Sequence, residues 1–231
     1  TQASLEGGMN HYCTLKDRET AVDLQAFLNR AKRLDQEGLV RLRAFGEVLA
    51  AYVAPIFAGS LMDSGPTVLG LRTSELDEPA ELDVLVPIAA VLDRLAYLLA
   101  DGSTTRFTLE LPDSQRAAWA GISPPRTGWE PLVEIPEPEL TQIAKDGIAE
   151  VADTIPEAVG GPIAARIRGE IWGRQMKFGS RIPTGAAFVA AGLGFLTENE
   201  VVQAYQAQGW VRLSSEHGHV LAKAAQGPVL D

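Results

Sequence analysis

The residues best suited to binding lie in one basic stretch of the C-terminal third. Its five basic side chains are interleaved with two aromatic ones, and the full set is Arg166, Arg168, Trp172, Arg174, Lys177, Phe178 and Arg181. Basic residues mixed with aromatic ones suit a nucleic-acid backbone. They equally suit an acidic protein surface, including the acidic N-terminal region of a second copy of this chain. A solvated helix face with ion pairs four residues apart is the third interpretation.

A second candidate surface lies near the C-terminus. Residues 198–208, ENEVVQAYQAQ, predict a helix that Thr197 and Glu200 would cap. The following WVRLSSEHGHVLAK predicts a hairpin, so the order resembles a winged helix. The wing would present Arg212, His217 and His219. Because the helix has no basic residue and an acidic start that would face phosphates, we expect a structural or partner-binding module rather than a base-reading one.

Few side chains could perform catalysis or hold a metal. His217 and His219 would share one face of a strand, yet zinc requires further ligands, so a surface histidine pair is the simpler interpretation. Cys13 lies two residues from His11, but a cysteine nucleophile also needs a third, orienting group. The sequence has no nucleophile-elbow, phosphate-binding or zinc-protease motif. We therefore predict no catalytic, cofactor-binding or metal-binding residue, and an enzyme with a dispersed site stays the alternative.

The charge distribution separates the two ends of the chain. The 231 residues carry a formal net charge of −10, but residues 161–231 hold seven basic and five acidic side chains. An acidic surface repels phosphates, so we do not expect DNA to wrap around this protein. A protein ring that encircles DNA could nevertheless tolerate an acidic exterior, because its basic residues would lie on the inner surface. The single cysteine and the lack of an apolar run of about 18 residues predict a cytoplasmic protein without membrane contact.

The elements that must position these residues begin with a sheet. Residues 11–112 predict the order strand, helix, hairpin, two strands, helix and strand. The first helix covers residues 17–35 and the second follows Pro87, while Gly46-Glu47 predicts a hairpin turn. The fold class is therefore α+β, with an antiparallel sheet covered by two helices. A mainly helical domain that ends in the winged-helix-like hairpin follows it.

The order of elements over residues 11–112, with the step ELDVLVPIAAVLDRL from strand to helix, resembles one domain of a DNA sliding clamp. Clamps repeat this unit to close a ring, and residues 113–231 show no second copy of it. The resemblance implies that the unit assembles with others or has another role. A shared fold does not by itself establish function.

Between these parts lies a connector rich in tryptophan and proline. Its AWAGISPPRTGW, residues 118–129, resembles a stretch in a family of uncharacterised actinobacterial proteins. We predict three regions: an α+β sheet domain at 9–112, an ordered connector at 113–134 and a helical domain at 135–231. The predicted function is that of a non-enzymatic interaction or adaptor protein, which binds a protein partner or itself. The alternative is a DNA-associated regulator that uses the basic helix and the wing.

Overall fold

The computed structural model describes residues 11–57, 65–178 and 181–224. The first part of the chain contains β1 His11–Leu15, α1 Arg18–Leu34, β2 Leu39–Ile56, β3 Thr67–Pro87, α2 Ile88–Ala100 and β4 Phe107–Leu111. The second part contains β5 Glu130–Pro136, α3 Glu137–Thr154, α4 Gly161–Gly173, α5 Gly185–Gly192, β6 Val201–Ala207, β7 Trp210–Ser215 and β8 Gly218–Lys223. The strands form an antiparallel sheet in the order β4-β1-β3-β8-β7-β6-β5, and β2 pairs with β3. The predicted α+β class is confirmed.

Two helices cover the first part of the sheet, as predicted. Asp17 caps α1 by accepting a hydrogen bond of 2.8 Å from the Thr20 N–H, and α1 buries Leu24 and Phe27 among its apolar positions. Pro87 precedes the first turn of α2, where the missing N–H costs no hydrogen bond. None of the helices in the described ranges is long and apolar enough to cross a bilayer.

The predicted turn at Gly46-Glu47 is wrong. The chain continues through it as a single strand, β2, whose register against β3 shifts between Gly46 and Val48. Gly46 has a φ of +61°, a left-handed conformation that glycine adopts without strain and that bulges require. The two shorter strands predicted for residues 67–87 are likewise one strand, β3. Because β3 is long, its first five residues, Thr67 to Leu71, also pair with β8 and join the two parts of the chain.

The predicted helix over residues 198–208 is also wrong, because Val201–Ala207 is the strand β6. β-Branched and aromatic residues favour a strand here, and β6 buries alternate residues, Val202 and Ala204. Thr197 and Glu200 form a tight turn instead of a helix cap, in which the Glu200 N–H donates to the Thr197 carbonyl over 3.0 Å. The predicted hairpin is present as β7 and β8, but β6 and β3 flank it. A winged helix is therefore not confirmed.

The sheet has apolar layers on both faces. The larger core lies between the helices and the sheet, and a smaller cluster on the opposite, outer face contains Leu69, Leu85, Trp119, Trp210 and Leu221. The connector supplies Trp119 to this outer cluster and is anchored by a hydrogen bond of 2.7 Å from the Gln115 N–H to the Leu85 carbonyl. The division into three regions stays a prediction, and residues 9–10 and 225–231 lie outside the described ranges.

Candidate functional site

Two of the predicted binding residues, Arg168 and Trp172, line the same cleft. We call it the α3–α4 cleft, and its volume is about 340 Å³. It lies between the helices α3, α4 and α5 on one side and the C-terminal end of β2 and the N-terminal end of β3 on the other. Apolar side chains form most of its wall, among them Ile56, Phe57, Ile148, Val151, Trp172 and Phe188. Its volume falls in the range of pockets that hold small ligands or the anchoring side chains of a partner.

Trp172 is a fixed wall of the cleft and not an exposed ring. Its side chain is 4% exposed and stacks on Phe188, with ring centroids 4.6 Å apart and an interplanar angle of 22°. Two glycines make room for it, because a Cβ on Gly147 would lie 2.2 Å from a Trp172 ring carbon and one on Gly185 would lie 3.0 Å from the Trp172 Cβ. The indole is thus not free to stack on a nucleic-acid base.

The basic residues around the cleft fall into two groups. Arg174 forms a bidentate ion pair with Glu150 of α3, with both N–O distances 2.7 Å. The hydrogen bond that Arg174 donates to Glu150 holds the pKa of the guanidinium above its ordinary value. Arg166 lies 3.9 Å from Glu170, four residues later on α4. The second group consists of Arg168, Lys177 and Arg181. Within the described ranges these three side chains form no ion pair, and all are exposed.

The segment between α4 and α5 folds back on itself. The Met176 N–H donates to the Ile182 carbonyl over 2.8 Å, and the Thr184 N–H donates to the Arg174 carbonyl over 2.7 Å. Lys177, Phe178 and Arg181 lie between the residues that these hydrogen bonds join, and Phe178 is 40% exposed. The predicted set is therefore divided between the cleft, two ion pairs, with Glu150 of α3 and Glu170 of α4, and this exposed segment.

The three predicted wing residues occupy different environments. The guanidinium of Arg212 lies between the rings of Trp129 and Tyr205, 4.8 and 4.6 Å from their centroids, on the outer face of the sheet. The ring of His219 makes a hydrogen bond of 2.9 Å with the Ser214 hydroxyl, and burial lowers its pKa, with a further decrease caused by Arg212. His217 is exposed in the turn, and its carbonyl accepts from Arg72.

The remaining reactive candidates do not form a centre within the described ranges. Cys13 is buried, and burial raises the pKa of its thiol to about 12. At neutral pH the thiol is therefore protonated and is a poor nucleophile. No group of three or more His, Cys, Asp or Glu residues in the part of the chain that the structure describes could hold a metal ion.

Sequence reasoning missed the apolar part of the cleft. Ile56 ends β2 and Phe57 follows it, whereas Ile148 and Val151 belong to α3, about 90 residues later, so no local pattern connects them. One signal was present: Gly147 interrupts an otherwise regular helix, and an isolated glycine at such a position often marks close packing. In this fold the position accommodates Trp172.

Comparisons with known proteins describe the chain at the level of family and fold. One family model, a domain of unknown function (DUF8010), matches residues 9–118, and a second, a domain of unknown function (DUF8185), matches residues 124–227. These matches agree with the predicted resemblance to an uncharacterised family. No curated protein matches the chain.

Among solved structures, the chain is similar to bacterial sliding clamps. It matches the Caulobacter crescentus pol III beta with a TM-score of 0.53 at 12% identity, covering 96% of this chain and 67% of that one. It matches a putative DNA polymerase III beta subunit from Eubacterium rectale with a TM-score of 0.55 at 8% identity, covering 96% and 66%. The chain thus spans about two thirds of the length of these clamps. The resemblance predicted for residues 11–112 is confirmed as a fold, and the 96% coverage shows that it continues beyond residue 112, where the sequence shows no second copy.

Proposed function

We propose that this protein is a non-enzymatic interaction module, in which the α3–α4 cleft binds an acidic segment of a partner protein through an apolar side chain. The observation that carries the proposal is the position of Arg168 on an apolar cleft whose wall includes the fixed Trp172 and the exposed Ile148. Apolar walls favour an apolar anchor. A guanidinium at the edge favours a carboxylate beside that anchor.

The exposed apolar residues support a protein as the partner. Ile148 and Ile163 are 50% and 49% exposed on α3 and α4, and Phe178 is 40% exposed after α4. Exposed aliphatic and aromatic side chains next to arginine are typical of the centre of a protein interface. Arg168, Lys177 and Arg181 would attract an acidic segment and speed its association. We place this activity in the cytoplasm, which the single, buried Cys13 supports.

A DNA-associated regulator is the second candidate, because three cations on and after α4 are exposed and form no ion pair within the described ranges. One feature favours a protein instead. Glu150 pairs with Arg174 and Glu170 with Arg166, which reduces the number of phosphates that the surface can contact.

Selection from a random peptide library on the immobilised full chain tests the proposal. We expect peptides that combine acidic residues with a large apolar one. Ile148→Glu and Arg168→Glu should each weaken their binding by about tenfold or more, since both change the centre of the interface. The matched controls lie on α1: Val22→Glu, whose native side chain is 49% exposed, and Arg33→Glu, whose native side chain is also exposed. Both should bind as the unaltered chain does.

Two results would reject the cleft. In the first, the selected peptides bind equally well to Ile148→Glu and to the unaltered chain. In the second, no peptide is selected, whereas labelled duplex DNA binds at about 50 mM salt and loses affinity on Arg168→Glu. That second result would establish the DNA-associated regulator instead. Circular dichroism of each variant verifies that the fold is retained.

A further inference from the structure

The edges of the sheet differ in how well they are protected against pairing with another strand. β5 has proline at Pro131 and Pro136 and a register shift beside Pro131. The Glu137 N–H points to β6, because it donates to the Glu200 carbonyl over 2.8 Å, so the nitrogen of Pro136 faces outward and offers no donor. β2 contains register shifts near Gly46 and Val53. Prolines and bulges are devices that block edge pairing.

The outer edge of β4 has none of these devices. β4 pairs with β1 without a register shift, from His11 opposite Leu111 to Leu15 opposite Phe107. Within the described ranges no strand pairs with its other side. The strand contains neither proline nor lysine. A regular edge of this kind presents free backbone donors and acceptors to a further strand.

The helix beside this edge is unusually apolar for a surface helix. α2 contacts β4 and reads IAAVLDRLAYLLA, in which Asp93 and Arg94 are the only charged residues. Tyr97 is 82% exposed, and Asp93, Ala96 and Ala100 are exposed on the same side. Three of these four exposed residues are apolar or aromatic, which is typical of a surface that a partner covers. Among the residues that the structure describes, nothing therefore covers the sheet edge or the exposed side of α2 at this end of the sheet.

We infer that a second copy of this chain pairs with β4 in antiparallel orientation, about a two-fold axis at Thr108. This register places Arg106 of each copy opposite Glu110 of the other and pairs Phe107 with Leu109. Shifting the axis to Leu109 places Arg106 opposite Pro112 and removes the charge pairs. Shifting it to Glu110 places two like charges opposite each other, which is unfavourable. Charge complementarity thus selects one register.

The same axis also covers α2. A two-fold axis perpendicular to the sheet keeps the helices of both copies on one face, so the exposed sides of the two α2 helices meet beside the paired strands. Within one copy, Arg106 contacts Glu78 over 2.8 Å, and their side chains are 59% and 49% exposed. Such an exposed pair contributes little to stability. Arg106 is therefore available to Glu110 of the second copy.

A head-to-tail arrangement, with β4 of one copy on β5 of the next, is disfavoured by the prolines of β5. Such a heterologous contact uses both edges of every copy and generates a closed ring or a filament, whereas the β4–β4 contact is isologous and closes at two. Charge reversal at Arg106 and Glu110 therefore distinguishes the two arrangements, because only the β4–β4 contact places these residues opposite each other.

Sedimentation velocity of the full chain tests the inference, with the 24.7 kDa chain expected to form a dimer between about 1 and 100 µM. Arg106→Glu and Glu110→Arg should each weaken dimerisation about tenfold, because each places like charges opposite each other twice. The double variant Arg106→Glu with Glu110→Arg should restore the dimer to within about threefold. Glu78→Gln should leave it unchanged, which separates the contact between copies from the contact within one.

A chain that is monomeric at about 100 µM in low salt would overturn the inference, as would a trimer or larger ring. A dimer whose dissociation constant is unchanged in both Arg106→Glu and Glu110→Arg would also overturn it. None of these results bears on the α3–α4 cleft, because peptide binding there is measured with Ile148→Glu and Arg168→Glu. The two proposals therefore succeed or fail separately.

Discussion

Replacement of Gly147 by alanine has two opposing effects on the stability of the protein. Alanine is favoured over glycine inside a helix by about 1 kcal/mol, which would stabilise α3. The new methyl group would lie 2.2 and 2.4 Å from two ring carbons of Trp172, far inside contact distance. The ring cannot retreat freely, since Phe188 stacks on it and Gly185 packs against its Cβ. Overpacking of this kind costs roughly 1–3 kcal/mol.

We expect a cost near the upper end of that range, because a rigid indole is contacted at several atoms, and therefore a net loss of about 1–2 kcal/mol. Urea unfolding followed by circular dichroism measures the change. Gly161→Ala is the matched control, since a Cβ there meets no atom within 4 Å, and it should leave stability unchanged or slightly increased. A Gly147→Ala variant as stable as the unaltered chain would refute the view that Trp172 is fixed in the cleft wall.

Three further predictions concern the outer face and the strand bulge. Arg212→Lys should lose about 1 kcal/mol in urea unfolding, because lysine cannot stack its plane between Trp129 and Tyr205; an unchanged midpoint would contradict this. His219 has a lowered pKa in the folded state, so the unfolded chain binds the proton first and stability should decline as the pH falls below about 6.5. His219→Gln should weaken that decline, and identical dependences of the unfolding free energy on pH in the two proteins would count against it. Gly46→Ala should cost about 1 kcal/mol through backbone strain alone, since a Cβ meets nothing within 4 Å, and Gly46→Asn should cost less; equal losses would argue against the left-handed conformation.

Local patterns predicted the elements whose stabilising contacts are also local. The helix predicted over residues 17–35 is present as α1, which buries an apolar stripe of its own residues and is capped by Asp17. The β7–β8 hairpin followed from alternation around its turn. In both cases the residues that determine the element lie within it or next to it.

The errors arose where distant strands decide the structure. Residues 201–207 have a composition that fits a helix or a strand, and pairing with β5 and β7 makes them a strand. Gly46 carries a turn signal, but the long ladder between β2 and β3 converts the turn into a bulge. Pairing partners so far apart in sequence leave no local signature.

The candidate site was predictable only in part. The basic and aromatic composition of residues 166–181 indicated a binding region, but spacing could not reveal that Glu150 pairs with Arg174 or that Trp172 is buried. Both facts depend on α3, which approaches α4 only in the folded chain. The same holds for the cleft, whose walls come from both parts of the sequence.

Photo-cross-linking in cells tests the central claim most directly, with benzoylphenylalanine at Ile148 and, as a control of matched exposure, at Val22. The account predicts an adduct at position 148 with a protein whose linked peptide, identified by mass spectrometry, is acidic and contains an apolar anchor. Arg168→Glu should abolish that adduct, and position 22 should give none. A nucleic-acid adduct at position 148, or the same protein adducts at both positions, would contradict it.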